Sequence, residues 1–261
     1  MLPANRIKDL FTTKKNNILS IYFTAGYPNL EDTVLILQIL QELKVDFVEI
    51  GIPFSDPIAD GPVIQNCNQK AIENGMNLNT LLHQLQNVRQ NIHIPIILMG
   101  YINPVLQFGI EKFCKKCYEI GIDGIILPDL PLYEYKTLYK KIFDACGISF
   151  INLITPQSSA DRIREIDELT DSFLYLVSTA GTTGIRSEFS QPQLEYFKRV
   201  NSYNLRNPLM IGFGIYDRYS YETACKFAAG CIIGSAFLKA IENKTGEELI
   251  NSIQNFIKQI R

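Results

Sequence analysis

Eight short runs of apolar, largely β-branched residues alternate with longer stretches of helical periodicity along this 261-residue chain. The runs fall at residues 19–23, 47–50, 94–99, 124–127, 150–154, 173–177, 209–212 and 231–234. Each is almost continuously apolar, which suits a strand covered on both faces rather than one with a wet side. A helix between successive strands is the crossover that parallel pairing requires, so the pattern is one of repeated βαβ units. Helices are expected over 30–43, 78–89, 110–120, 132–146, 160–169, 191–200, 219–228 and 247–260. Eight strands with eight helices predict an α/β protein built as a (β/α)8 TIM barrel, one domain spanning 1–261. An extra N-terminal helix over 4–11 is expected to close the bottom of the barrel. An open doubly wound sheet shares the alternation but wants a glycine-rich turn after an early strand, and Thr24-Ala25-Gly26-Tyr27-Pro28 does not supply one.

Composition narrows the function classes. The chain is 46% hydrophobic and 20% charged with no low-complexity tract, so it can build a sizeable core. A net charge of −2, with Lys14-Lys15 and Lys140-Lys141 as the densest basic spots, leaves no footprint for nucleic acid or an anionic membrane. No run reaches the roughly 18 to 20 apolar residues of a membrane helix, and the N-terminus lacks a charged-then-apolar leader pattern, so a cytoplasmic location is expected. Six cysteines (Cys67, Cys114, Cys117, Cys146, Cys225 and Cys231) are too sparse for a disulfide scaffold and are expected to be reduced. Cys114 and Cys117 share a helix face, but no second Cys/His pair stands at ligand spacing, so helix packing accounts for them and no metal is expected.

The chemistry concentrates in one segment. Glu49 sits between Val48 and Ile50 on a strand buried on both faces, where lost hydration raises a carboxyl pKa and lets the group both give and take a proton. Asp60 lies at the far end of the loop that follows, whose prolines at 53 and 57 restrict the backbone. Two carboxylates in unlike surroundings can divide acid and base roles. Barrel chemistry sits at the C-terminal ends of the strands. Thr24-Ala25-Gly26, Tyr101, Asp129, Tyr175 and Ser178 all close or follow strands as well.

Gly212-Phe213-Gly214 after the seventh strand and Gly234-Ser235 after the eighth occupy the two strand ends where many barrels hold a phosphate on backbone N–H groups. Either glycine pair alone is equally a strand-end turn; together they favour phosphate, with Gly184 able to add an amide. The segment Ala180-Gly181-Thr182-Thr183-Gly184 follows the sixth strand and suits a lid over the mouth, or a plain surface loop. Alternatives fall away by residue type. No lysine projects from a strand into the barrel, which disfavours Schiff-base chemistry. His83 falls in a helical stretch and His93 at the wrong end of the third strand, so neither a histidine metal cluster nor a Ser/His triad can be assembled.

With Glu49, the Phe54-Ser55-Asp56-Pro57-Ile58-Ala59-Asp60-Gly61-Pro62 loop, Tyr175, the Gly-Thr-Thr-Gly segment and Gly234-Ser235 quoted, the chain closely resembles the tryptophan synthase α subunit family over essentially its whole length. The resemblance implies a carbon–carbon lyase that cleaves indole-3-glycerol phosphate to indole and glyceraldehyde 3-phosphate, with no metal or cofactor in this subunit. It implies Glu49 as proton shuttle, Asp60 as the charged group near the indole N–H, Tyr175 as the neighbour that positions Glu49, and Thr183 as a lid contact to Asp60. Tyr22, Met99, Ile126, Leu127 and Ile154 are expected to line an indole slot, and equally to be strand core. Tyr22 stands where family members often carry Phe. The family assembles as an αββα complex with a pyridoxal-phosphate-dependent β subunit that receives the indole, and Pro53, Asp56, Pro57, Asn103, Pro104 and Asp129 are expected at that interface. Two other functions stay open: a different sugar-phosphate barrel lyase or isomerase, and a catalytically silent subunit that only activates the β partner.

Overall fold

The structure, a computed structural model, describes residues 5–178 and 189–261. Nine parallel strands run β1 (Ile18–Thr24), β2 (Phe47–Gly51), β3 (Ile96–Met99), β4 (Gly124–Ile126), β5 (Ser149–Phe150), β6 (Leu153–Ile154), β7 (Leu174–Val177), β8 (Leu209–Gly212) and β9 (Gly230–Ile233). They form one sheet in the order β5-β4-β3-β2-β1-β9-β8-β7-β6. Its two ends, β5 and β6, are halves of a single strand separated by Ile151 and Asn152. The Ile151 N–H donates to the Ile125 carbonyl at 3.0 Å on the β4 side, and the Tyr175 N–H donates to the Asn152 carbonyl at 3.2 Å on the β7 side. The ring of strands therefore closes through this pair, and the expected fifth strand over 150–154 is present as two short pieces that hand over from one neighbour to the other.

Because paired residues in a parallel ladder point to the same face, the register fixes which side chains look into the barrel. Tyr22 pairs with Glu49, and Glu49 with Ile97; Ile97 pairs with Gly124, and Met99 with Ile126. On the other side Leu153 pairs with Tyr175, Tyr175 with Met210, Met210 with Gly230, and Gly230 with Ile18. The inward set thus mixes two phenols with glycines. At Gly51 an added Cβ would collide with the Tyr22 hydroxyl, and at Gly212 with the Tyr175 ring and hydroxyl. Only a missing side chain lets each phenol occupy the interior at that level. Outward residues such as Phe23, Val48, Ile50 and Leu176 are wholly buried under the helices and form the main hydrophobic layer.

The N-terminal helix, Arg6–Thr13, closes the end opposite the mouth. Its Phe11 packs against Phe173 and Phe47 with ring centroids 5.4 Å and 6.4 Å away, at the starts of β7 and β2. Asn5 accepts from the Ile7 N–H as helix cap and donates through its amide to the Asp123 and Gly147 carbonyls at 2.9 and 3.0 Å. The expected helices over 110–120 and 160–169 are found as Ile110–Ile120 and Ala160–Leu169. The span 78–89 instead ends its α-helix at Gln84, and the span 132–146 carries a π-helical turn over Tyr135–Tyr139. Three helices lie outside the expected spans: Pro62–Glu73, Ile102–Phe108 and Ser235–Ala240. All three start at the mouth, the second and third with at most two residues between strand and helix and the first after the loop 52–61.

Candidate active site

Glu49 projects from the middle of β2 into the barrel and is fully buried. Among the described residues neither of its carboxyl oxygens has a hydrogen-bond partner. An ionised carboxylate there would lose hydration with nothing to replace it, and burial pushes the Glu49 pKa up to about 8. The group is therefore a protonated acid at neutral pH, poised to exchange a proton.

Asp60 reaches the same mouth from the loop after β2. That loop is folded on itself: the Ile58 N–H donates to the Asp56 carbonyl at 2.9 Å, and the Asp60 N–H to the Pro57 carbonyl at 3.0 Å. Gln65, one turn into the helix Pro62–Glu73, donates its side-chain amide to the Asp60 carbonyl at 2.9 Å. Pro62 starts that helix at its first turn, where its missing N–H costs nothing. Asp60 is 6% exposed, and its pKa is raised to about 6 by burial, opposed by hydrogen bonds from Tyr101 and Asn68. The two carboxyls thus differ: at pH 7 Glu49 holds its proton and Asp60 has lost its own.

Tyr175 and Tyr22 complete the cluster. Burial pushes the Tyr175 phenol well up, and the charges of Glu49 and Asp60 add to the shift, which places all three groups in one electrostatic neighbourhood. Tyr22 is raised by burial and by Asp60. Both phenols therefore stay neutral over the whole working range. Met99 and Ile126 share the inward face, with Met99 half-buried at the end of β3.

The register does not place two expected slot residues there. Ile154 pairs with Leu176, one position out of phase with Tyr175, and is fully buried on the outward face. Leu127 is buried one residue past the end of β4, outside the paired register. The period of two along a strand moves the Ile154 assignment to its neighbour, so Leu153, half-buried and in register with Tyr175, holds the inward place. An apolar run without alternation gives no clue to parity, which is why the sequence could not place it.

The glycine-bearing strand ends meet the cluster from the far side. Gly212 ends β8 against Tyr175, and Phe213 sits edge-on to the Tyr175 ring at a centroid distance of 6.3 Å. Phe213 and Gly214 both have left-handed backbone, φ 70° and 76°, and for Phe213 that conformation costs about 1 kcal/mol or more. Ser178 holds the turn, donating its hydroxyl to the Phe213 carbonyl at 2.8 Å. Gly234 caps the short helix Ser235–Ala240 beside Tyr22, with Ser235 at its first position. Thr183 and Gly184 lie outside the described residues.

At the rim, Asp56, Asn103 and Asp129 are exposed and Pro104 is half-buried. Asp129 accepts from the Ile102 N–H at 2.9 Å and so caps the helix Ile102–Phe108. Pro53 and Pro57 are buried within the chain and stiffen the loop. The surface beside them is offered by residues that sequence did not single out: Ile58 is 84% exposed, Leu106 46% and Tyr133 74%.

Comparison with known proteins gives one consistent result. The family model for the tryptophan synthase alpha chain matches residues 8–260. The tryptophan synthase alpha chain of Bacteroides thetaiotaomicron is 49% identical over 255 residues, covering 97% of this chain and 100% of the relative. That of Flavobacterium psychrophilum is 51% identical over 256 residues, covering 98% and 99%. A mutant tryptophan synthase alpha-subunit from Pyrococcus furiosus superposes with a TM-score of 0.86 at 33% identity, over 95% of this chain and 98% of that one. A chain of the tryptophan synthase complex from the same organism gives 0.86 at 32% over the same shares.

Proposed function

The chain belongs to the tryptophan synthase alpha chain family, and on that premise we propose that it cleaves indole-3-glycerol phosphate to indole and glyceraldehyde 3-phosphate. The observation that carries the proposal is a fully buried Glu49, without a hydrogen-bond partner among the described residues, whose pKa of about 8 keeps it protonated at pH 7. Its proton goes to indole C3, and the resulting carboxylate takes the proton of the side-chain hydroxyl. The oxygen pair left behind forms the aldehyde carbonyl, the carbon–carbon bond breaks, and its electrons return to the ring as indole. One carboxyl serves both transfers and ends as it began.

While C3 is protonated the ring carries positive charge, centred on its nitrogen. Asp60, ionised above about pH 6, faces the ring N–H and stabilises that charge more strongly in a dry site than water would. Tyr175 packs beside the reacting carbon and keeps Glu49 in line. Tyr22, Met99, Ile126 and Leu153 form the indole slot. The amides of Gly212, Phe213, Gly214, Gly234 and Ser235 receive the phosphate; the roles of Gly184 toward the phosphate and Thr183 toward Asp60 rest on the family resemblance alone. The left-handed turn at Phe213 supports this, since strained backbone at a strand end is kept where it aims N–H groups.

Indole then passes to a pyridoxal-phosphate-dependent β subunit; no cofactor belongs to this chain, which works in the cytoplasm. The docking face runs over the ends of β2, β3 and β4, where Asp56, Ile58, Asn103, Pro104, Leu106, Asp129 and Tyr133 lie, and its exposed large apolar side chains support that role. The test is glyceraldehyde 3-phosphate release from indole-3-glycerol phosphate by the purified chain, alone and with a tryptophan synthase β subunit. Release that rises with the β subunit is expected; no release in either condition would overturn the lyase assignment.

A further inference from the structure

The hydroxyl of Tyr101 has two contacts, and together they leave its proton one destination. The Ala59 N–H donates to the phenol oxygen at 3.0 Å, and the phenol O–H is 3.1 Å from Asp60 Oδ2. An amide pointing at the oxygen occupies a lone pair, so the phenol must donate onward to the carboxylate. The ring is equally fixed. It stacks on Phe54 with a centroid distance of 5.1 Å and an interplanar angle of 29°, and its backbone forms the N-terminal cap position of the helix Ile102–Phe108. One buried residue therefore touches, through its side chain, the start of the Asp60 loop at Phe54 and its end at Ala59 and Asp60, while its backbone leads into the rim helix that carries Leu106.

We propose that Tyr101 is the positioning residue of Asp60: it orients the carboxylate toward the mouth, keeps it ionised in a dry site, and ties it to the helix Ile102–Phe108. The inference rests on Asp60 being the charged group that faces the indole ring. A donated hydrogen bond favours the ionised carboxylate and so works against the burial that would protonate it. The phenol can fill this role across the pH range, because burial and the neighbouring Asp60 charge push its own pKa up. The other groups facing the pair are Asn68 on the helix Pro62–Glu73, which also bonds the carboxylate, Tyr22 on β1 and Tyr175 on β7. Glu49 on β2 acts on the cluster beside Tyr175, and Asp129 faces Tyr101 from the loop after β4.

The test is Tyr101→Phe, which keeps the stacked ring and removes only the donor. The pH profile of kcat/KM for indole-3-glycerol phosphate cleavage is measured beside the thermal midpoint, with Asp60→Asn run in parallel. The expected result is an acidic limb displaced upward by about 1 pH unit, with a thermal midpoint close to that of the parent. An acidic limb left in place, whatever the midpoint does, overturns the inference. The two failures are separable. Cleavage at the parent rate with an unmoved limb in Asp60→Asn removes the role of Asp60 itself. A crippled Asp60→Asn with an unmoved limb in Tyr101→Phe removes only that of Tyr101.

Discussion

Two carboxyl groups at opposite ends of the barrel are almost equally buried and chemically opposite. Asp123, 2% exposed at the start of β4, receives the N–H groups of Arg6 and Ile96 at 3.0 and 2.9 Å and the guanidiniums of Arg6 and Arg89 at 3.2 and 2.6 Å. Arg89 also donates to the carbonyls of Gly121, Ile92 and Ile94. Glu49, fully buried on β2, has no partner for either oxygen among the described residues. Each network fits its place: at the closed end the charges lock the N-terminal helix onto the barrel, and at the mouth the raised pKa of an unengaged carboxyl suits the proton transfers proposed for it. A buried acid with every lone pair engaged is fixed structure; one with none engaged is held there at a cost that folding alone does not explain.

The sharpest way to break this contrast is to neutralise each group in turn. Glu49→Gln should lower the rate of indole-3-glycerol phosphate cleavage by about 10²–10⁴-fold, the usual contribution of a general acid–base group, without lowering the thermal midpoint. A Glu49→Gln protein that cleaves at the parent rate would sink the assignment. Asp123→Ala should do the reverse. It strands Arg89 and should cost roughly 3–5 kcal/mol of stability by denaturant titration, while the activity per folded molecule stays near that of the parent. Equal losses of activity and stability in either variant would erase the distinction.

The sequence foretold the closed end and the mouth to different degrees, for a physical reason. Strand Leu209–Gly212 and helices Ile110–Ile120 and Ala160–Leu169 stand where periodicity put them, because their patterns report burial against a neighbouring layer and nothing else. Glu49 and Asp60 were legible as well, since a carboxylate in an apolar strand and one in a proline-stiffened loop are each out of place. What the sequence concealed lies at the mouth. The helices Pro62–Glu73, Ile102–Phe108 and Ser235–Ala240 carry polar or glycine-flanked sequences with no clean apolar stripe, because part of each faces the site or the rim. The roles of Asn68 and Tyr101 were equally hidden, since both depend on contacts made across the fold.

The contrast also predicts how stability responds to pH. Folding raises the Glu49 pKa from an ordinary 4.5 to about 8, so between those values the folded chain holds a proton that the unfolded chain has released. Stability from this group is fully present below pH 4.5 and is lost as pH rises through 8, with a slope of at most about 1.4 kcal/mol per pH unit. Asp60 adds the same sign between 3.8 and about 6. Denaturant titrations at pH 5, 6.5 and 8 should show the parent weakening with pH and Glu49→Gln weakening less. The same pair of groups should give cleavage a bell-shaped kcat/KM profile with limbs near 6 and 8. Parallel stability curves for parent and variant would mean that Glu49 is ionised in the folded state.

The smallest test repeats the contrast between two neighbours on one strand. Leu153 and Ile154 are adjacent and aliphatic, yet the register turns Leu153 toward Tyr175 and Ile154 toward the helix layer, where the Tyr196 hydroxyl donates to its carbonyl at 3.0 Å. Leu153 is half-buried, so truncating it removes less packed surface than at a fully buried position. Leu153→Ala should therefore raise KM for indole-3-glycerol phosphate by about 5- to 30-fold, the worth of one or two lost contacts of roughly 1–2 kcal/mol, with little change in thermal midpoint. Ile154→Val should leave KM alone and cost about 0.5–1.5 kcal/mol of stability, the ordinary loss for one buried methyl group. If Ile154→Val raised KM and Leu153→Ala did not, the inward face would be the other one, and the indole slot would have to be rebuilt around Ile154.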